Sequence, residues 1–297
     1  MPSRGHLVSM FFLLFAAVFC DGQTATCTNW KFFNLPSPFT STNPRGINRW
    51  GTVVGDAEGT NLSNPVGFIR YSNGTVKTYA VSNGVRTFFT RRNAQGVTIG
   101  WADSPLGTDG LVISGSSVVR VNYPAATGTI LQGINYWGTI VGIWSNLNPP
   151  FSGPSASFEW KNGAFTTIKY PGSVTTNAAS ISDKGVIVGS YDYYTYNGHH
   201  VPEHGFILAK GVYKTLDNPN GGGGTVLNDI NASGVIAGTY YHYGFPHGFI
   251  YMNGVFKDVK VPNSPSSTLD GINGYGYVTG TAYGSGGVQV VYIAHCQ

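Results

Sequence analysis

Residues Thr225 to Pro262 read TVLNDINASGVIAGTYYHYGFPHGFIYMNGVFKDVKVP. Four short runs rich in Val, Ile, Phe and Tyr are separated by Asn231-Ala-Ser-Gly234, a polar and aromatic loop, and Asn253-Gly254. Short apolar runs divided by Asn-Gly type turns are the pattern of a four-stranded antiparallel meander. The first of these turns recurs as Asn48-Arg-Trp-Gly51, Asn93-Ala-Gln-Gly96, Asn135-Tyr-Trp-Gly138, Ser182-Asp-Lys-Gly185 and Asn273-Gly-Tyr-Gly276. The closing glycines of the six copies fall 42 to 49 residues apart, the period expected when each repeat is one propeller blade. Glycine accepts the left-handed conformation such a reversal needs, and Asn tolerates turn geometry well.

Other landmarks keep the same phase. A Thr or Ser opens the first strand at Thr87, Thr129, Thr176, Thr225 and Ser267, and an apolar Ile precedes the turn at Ile47, Ile134, Ile181, Ile230 and Ile272. The second strand carries a small-residue step in GTVVG, VTIG, TIVG, VIVG, VIAG and YVTG, which predicts close backbone packing. Asn73-Gly74, Ser114-Gly115, Asn162-Gly163, Lys210-Gly211 and Asn253-Gly254 join the third and fourth strands. Pro36, Pro124, Pro171, Pro219 and Pro262 end the fourth, where a missing N–H costs little. The sixth unit lacks a fourth strand of its own, while Trp30-Lys-Phe-Phe-Asn-Leu-Pro36 has that pattern and no partners. The predicted fold is therefore an all-β, six-bladed propeller of four-stranded antiparallel blades, its ring closed by the N-terminal strand beside Val288 to Ala294.

Composition agrees with a folded β-rich chain: 10% of residues are charged, 14% aromatic, and 42 are Gly. The net charge of +4 is the balance of 17 basic and 13 acidic residues, and the basic ones are scattered, so no stripe matches a phosphate backbone and nucleic acid is not an expected partner. Residues 1–22 read as a secretory signal, with Arg4 and His6 before an apolar run from Leu7 to Phe19 too short to span a membrane. Residues 23–297 then form a single domain, extracellular or periplasmic. After cleavage two cysteines remain, Cys27 and Cys296, and in an oxidising compartment they predict one disulfide joining the chain ends.

The GIN-x-x-G-x-V-x-G pattern, with His204-Gly-Phe206 and His247-Gly-Phe249, resembles the bacterial extracellular family of HAF repeats. The tripeptide is degraded to Val66-Gly-Phe68 and Ala156-Ser-Phe158 and largely lost in the second and sixth units. The resemblance covers the mature chain and implies secretion and a propeller-like repeat, with no established reaction.

In such a ring the long loops gather on one face, and just after each second strand that face carries Asp56, Trp101 with Asp103, Trp144, Tyr191 with Asp192, Tyr240 with His242, and Tyr283. Aromatic planes beside carboxylates suit sugars, whose C–H faces stack while their hydroxyls take hydrogen bonds. The same rings could equally wedge between blades and only pack. The loop DYYTYNGHHVPEH adds Tyr193, Tyr194, Tyr196, His199, His200, Glu203 and His204, whose spacing matches no standard zinc motif. His204 and His247 recur at one phase and read as structural hydrogen-bonding groups at the start of the third strand. Arg45, Arg91 or Arg92, Asp229 and Asp270 fall near the axis, where mutual pairing is expected. Trp50, Trp137 and Tyr275 lie in the tight turns of the opposite face, an alternative binding surface. Asn61, Asn73 and Asn231 stand in glycosylation sequons.

These residues give three readings. The first is a monomeric module binding a carbohydrate or small polar ligand through Trp101, Asp103, Trp144, Tyr191, Asp192, Tyr240, His242 and Tyr283, with no cofactor and no metal. The second is a polysaccharide lyase or glycoside hydrolase with a base among His199, His200 and His242 beside a Tyr acid. The third is an envelope or matrix scaffold whose partner is another extracellular protein.

Overall fold

A computed structural model describes residues 23–59, 64–81, 86–104, 107–147, 155–193, 195–196, 199–200 and 203–297. The signal segment 1–22, Asn61 and Tyr194 lie outside the described residues, as do the side chains of Tyr196, His199 and His200. The described chain is all strand and turn, an all-β propeller-like architecture, and no helix among the described residues is long and apolar enough to cross a membrane.

Antiparallel meanders follow one another along the chain. Phe39–Ile47, Val53–Gly59, Val66–Arg70 and Val76–Tyr79 form the first sheet, in that order. Thr175–Ile181, Ile187–Asp192, His204–Ala209 and Val212–Thr215 form another. Thr225–Ile230, Ile236–His242, Phe245–Met252 and Val255–Asp258 are the four apolar runs of residues 225–262, strand for strand. In the last sheet Ser266–Ser267 and Gly271–Ile272 pair with Tyr277–Tyr283, then Gln289–Cys296, then Cys27–Phe33 from the chain's beginning.

The expectation of six separate blades needs correction. Four of the meander sheets stand alone, whereas the second and third units share one eight-stranded sheet. The join is a parallel bridge between Thr108 and Gly128, where Thr108 N–H donates to the Thr127 carbonyl. Gly107 permits it, because a Cβ there would meet the Thr127 oxygen at 2.5 Å. A second finding has no sequence precursor: Gln23–Thr24 runs parallel to Lys257–Asp258 and extends the fifth unit's sheet.

The repeated residues now have physical roles. The first strand bulges between Pro44 and Gly46, Phe89 and Arg91, Leu131 and Gly133, Ala178 and Ser180, and Leu227 and Asp229. A bulge leaves one residue unpaired and re-aims its side chain. It also pushes a carbonyl toward the second strand, so a Cβ on Gly55 or Gly189 would sit 1.9 Å from the oxygen of Asn43 or Asn177. Opposite each such glycine the third strand buries a large side chain: Phe68, Leu111, Phe158, Phe206, Phe249 and Tyr292, all fully enclosed. Each contributes about 1.5–3 kcal/mol by leaving water. The glycine just before it serves the neighbouring unit, since Phe89 packs on Gly67 and Leu227 on Gly205.

The turns link the units in series. Asn48 Oδ1 accepts the N–H groups of Trp50 and Thr52, while its Nδ2 donates to the Asn93 carbonyl at 3.3 Å. Asn93 donates likewise to Asn135, Asn135 to Ser182, Asn231 to Asn273, and Asn273 back to the Asn48 carbonyl. All five asparagines are buried. Ser182 has no amide to pass on, and its Oγ only accepts the Val186 N–H. A further tie uses the first-strand threonines: Thr129, Thr176 and Thr225 accept N–H bonds from Tyr123, Tyr170 and Asn218 of the preceding segment.

Cys27 and Cys296 are disulfide-bonded across 269 residues, in register between the first and last strands of their sheet. Three outcomes are expected. Replacing both cysteines by Ser should lower stability by about 5 kcal/mol through the freed loop entropy, read as a lower midpoint in urea. Ser182→Asn should raise stability by about 1 kcal/mol by completing the amide series, whereas Asn135→Ala should cost roughly 2–4 kcal/mol by orphaning buried groups on both sides; paired denaturation curves check the opposite signs.

Candidate functional site

On the long-loop side, four of the predicted aromatic residues are stacked on neighbours. Tyr191, 4% exposed, lies 3.6 Å from the Tyr170 ring at 4°, and its hydroxyl hydrogen-bonds the Thr215 Oγ1. Trp144 stacks on Tyr123 at 4.4 Å and Trp101 on Phe88 at 4.6 Å. Tyr240, 6% exposed, stacks on His247 and donates its hydroxyl to Asp258 at 3.2 Å. Burial first, then the Asp258 charge, pushes Tyr240 up to about 12. Burial holds the His247 imidazole below its ordinary value. Asp192 is buried, and Asp103 accepts the Thr108 hydroxyl at 2.7 Å beside Arg86. His242 is exposed, with Nδ1 donating to the Asn220 carbonyl, and Tyr283 is half-buried. His204 makes the structural bond expected of it, Nδ1 to Asp217 at 2.8 Å. Tyr191 and Tyr240 are therefore wedges in the fold, with Trp101, Trp144, His242 and Tyr283 the more accessible members.

The axis is crossed by one arginine. Arg91 lies 3.4 Å from Asp229 and donates to the carbonyls of Thr90, Asn228 and Asp270, and also to that of Arg45. Asp229 additionally accepts the Ser180 hydroxyl at 2.6 Å and the N–H groups of Ile230 and Ile272. Arg45, the unpaired residue of its bulge, pairs with buried Asp56 at 3.0 Å. Arg92 turns away to Thr98. The expected mutual pairing of axial charges is thus present for Arg91 and Asp229, whereas Arg45 pairs with Asp56 of the second strand instead.

Asp270 differs. It is half-buried and accepts only the Thr268 hydroxyl in a side-chain hydrogen bond, and the dense protein around its carboxyl pushes it up to about 6, against the opposing effects of that bond and of Arg45 and Arg91. Its charge in turn helps to raise Tyr241, Tyr283 and Tyr292, each chiefly raised by burial.

An opening of about 480 Å³ lies on the long-loop side between His247, Asp258 and Ser266, and the opposite face holds a central one. The six tight turns surround a cavity of about 320 Å³ whose walls are Asn48, Asn93, Asn135, Ser182, Asn231 and Asn273, with Arg91 and Asp229 beneath. Arg49, Tyr136, Asp183 and Tyr275 line its mouth. Around it Trp137 is 72% and Trp50 59% exposed. Each indole N–H is tied to the next turn, Trp137 to the Asp183 carbonyl and Trp50 to that of Ala94. Asp183 also accepts the Tyr136 N–H, and Arg49 donates twice to the Tyr275 hydroxyl. The rings are held in place while remaining accessible, so little ordering is left to a ligand. The sequence marked Trp50, Trp137 and Tyr275 here but missed Arg49, Tyr136 and Asp183; their signal was their place between the Asn or Ser and the Gly of each turn.

No protein-family model matches the chain, and no curated protein matches it. Solved structures do. Trypanosoma rangeli sialidase is similar over 90% of this chain and 59% of its own, at 10% identity and a TM-score of 0.55. TolB from Acinetobacter baumannii is similar over 83% and 64%, at 10% identity and 0.55. Virginiamycin B lyase from Staphylococcus aureus covers 88% of each chain at 11% identity, with a TM-score of 0.49. The likeness is one of fold. The sialidase and TolB likenesses support the propeller architecture and carry no activity across.

The raised Asp270 carboxyl makes stability depend on pH. Its carboxyl binds a proton more tightly in the folded state than in the unfolded chain, so its contribution favours the native state at pH 4 and is lost as pH rises through 6. Asp270→Asn should therefore stabilise by roughly 2–3 kcal/mol at pH 8 and have little effect at pH 4. Melting temperatures of both proteins across that range measure it, and a difference independent of pH would contradict the assignment.

Proposed function

We propose that the protein is a secreted β-propeller of six repeat units, two of them fused in one sheet, closed by its N-terminal strand, that binds an extracellular carbohydrate or small polar ligand. Export rests on the signal-like segment 1–22 and accords with the Cys27–Cys296 disulfide, since such bonds persist in oxidising compartments. Closure is supported by the pairing of Cys27–Phe33 with Gln289–Cys296 and by the amide of Asn273 on the Asn48 carbonyl. Membership of the HAF-repeat family accords with the roles of Gly205-Phe206 and Gly248-Phe249 in packing.

The observation that carries the binding reading is the cavity on the tight-turn face, ringed by anchored, exposed aromatic side chains. Trp137, Tyr136 and Tyr275 would stack on sugar C–H faces, and Arg49, Asp183 and the turn amides would take hydroxyls. The long-loop residues Trp101, Asp103, Trp144, Tyr191, Asp192, Tyr240, His242 and Tyr283 form the rival site, weakened by the burial of Tyr191 and Tyr240. Retention on a panel of neutral polysaccharides tests the assignment. Tyr136→Ala with Trp137→Ala should weaken binding about tenfold, each ring being worth about 0.5–1.5 kcal/mol, while Trp101→Ala with Tyr283→Ala should not. The reverse result would move the site to the long loops.

An enzymatic reading draws on Asp270, a carboxyl held near 6 with Tyr241 and Tyr283 affected by its charge. A group titrating near the working pH suits general acid or base chemistry. Release of reducing ends or unsaturated products in the same assays, lost in Asp270→Asn, would favour a polysaccharide lyase or glycoside hydrolase.

A further inference from the structure

A second opening lies on the seam between the first sheet and the sheet that contains both chain ends. It is a groove of about 590 Å³, within the range of about 300–1,000 Å³ usual for ligand sites. Three cations line it, Lys31, Arg49 and Arg70, and no carboxylate does. Among the described residues none of the three forms an ion pair, whereas Arg45, Arg86, Arg91 and Arg120 all do. The remaining walls include three rings, Trp30, Trp50 and Tyr277.

Those groups are held from behind. Trp30 donates its indole N–H to the Cys27 carbonyl, next to the disulfide. Arg70 lies 4.4 Å over the Phe33 ring, and Arg49 sits over both Trp50 and Tyr275. Tyr277 rests on His295, whose Nε2 donates to the Tyr275 carbonyl. A local charge of three with no counter-charge is complementary to an anion, and the adjoining ring faces are complementary to something flat and partly apolar. A saccharide bearing carboxylates meets both demands along one chain, because each sugar offers a C–H face and a charge.

We propose that this groove binds an acidic polysaccharide of the uronate class, with Lys31 and Arg70 taking carboxylates and Trp30, Trp50 and Tyr277 taking sugar faces. This deepens the carbohydrate-binding reading, on which it rests, but places a charged ligand at the seam rather than over the axial cavity.

Calorimetric titration with hexagalacturonate, its fully methyl-esterified form and dextran sulfate tests it. Hexagalacturonate should bind, the uncharged ester should bind at least about tenfold more weakly, and affinity should fall as salt shortens the range of the attraction. Lys31→Gln with Arg70→Gln should weaken hexagalacturonate about tenfold or more, as charge-assisted bonds are lost, while leaving retention on neutral polysaccharides unchanged. Lys31→Glu alone, at an exposed position, should weaken it in the same sense without risk to the fold. Equal binding of acid and ester, unchanged affinity in both variants, or equal affinity for dextran sulfate would overturn the proposal. Loss of neutral-glycan retention in Tyr136→Ala with Trp137→Ala bears only on the axial site, so the two readings fail separately.

Discussion

The contact between Arg91 and Asp229 is the constraint around which the molecule is arranged. Both lie near the axis and both are largely shielded from water, so neither charge is tolerable without the other and without further hydrogen bonds. The two residues belong to the second and fifth units. Arg91 reaches carbonyls of the first, fifth and sixth units, and Asp229 takes a hydroxyl from the fourth and an N–H from the sixth. Sheets that would otherwise touch only their neighbours are thereby tied across the middle. Removing one partner would strand the other, an effect of about 3–5 kcal/mol in comparable buried pairs.

Much of the fold was legible because its steric demands are local. A turn closing on glycine, a glycine beneath a bulged carbonyl and a large apolar residue opposite it leave recurring letters at fixed spacing. The disulfide was legible for a different reason: a repeat lacking one strand and a strand lacking partners stand at opposite ends of the chain, each beside a cysteine. What the letters did not reveal depends on geometry between units. Nothing in the string GTD at 107–109 announces that Gly107 lets two sheets fuse, since the same residues elsewhere would only begin a strand.

The candidate site was harder to read for a related reason. Aromatic residues after the second strand look identical whether they face solvent or a neighbour. Tyr191 and Trp144 are covered on one face by Tyr170 and Tyr123, which arrive from the preceding connection some twenty residues earlier in sequence. On the turn face the reverse holds. Trp50 and Trp137 sit at the tip of a reversal too short to cover them, and the backbone of the next unit holds only the indole N–H. Short connections therefore leave the rings accessible while longer ones bury them, the opposite of the usual association of function with long loops.

The last sheet takes its outermost strand from residues 27–33 and its neighbour from residues 289–296. During synthesis the early strand must wait, unpaired, until almost the whole polypeptide has emerged. The intervening sheets have local partners and, apart from the added Gln23–Thr24 at the edge of the fifth unit's sheet, meet no such delay, so the order of assembly runs from the middle outward, with the slowest loop closure last. A nascent or prematurely terminated chain therefore presents an open strand edge, the surface on which quality control or self-association would act.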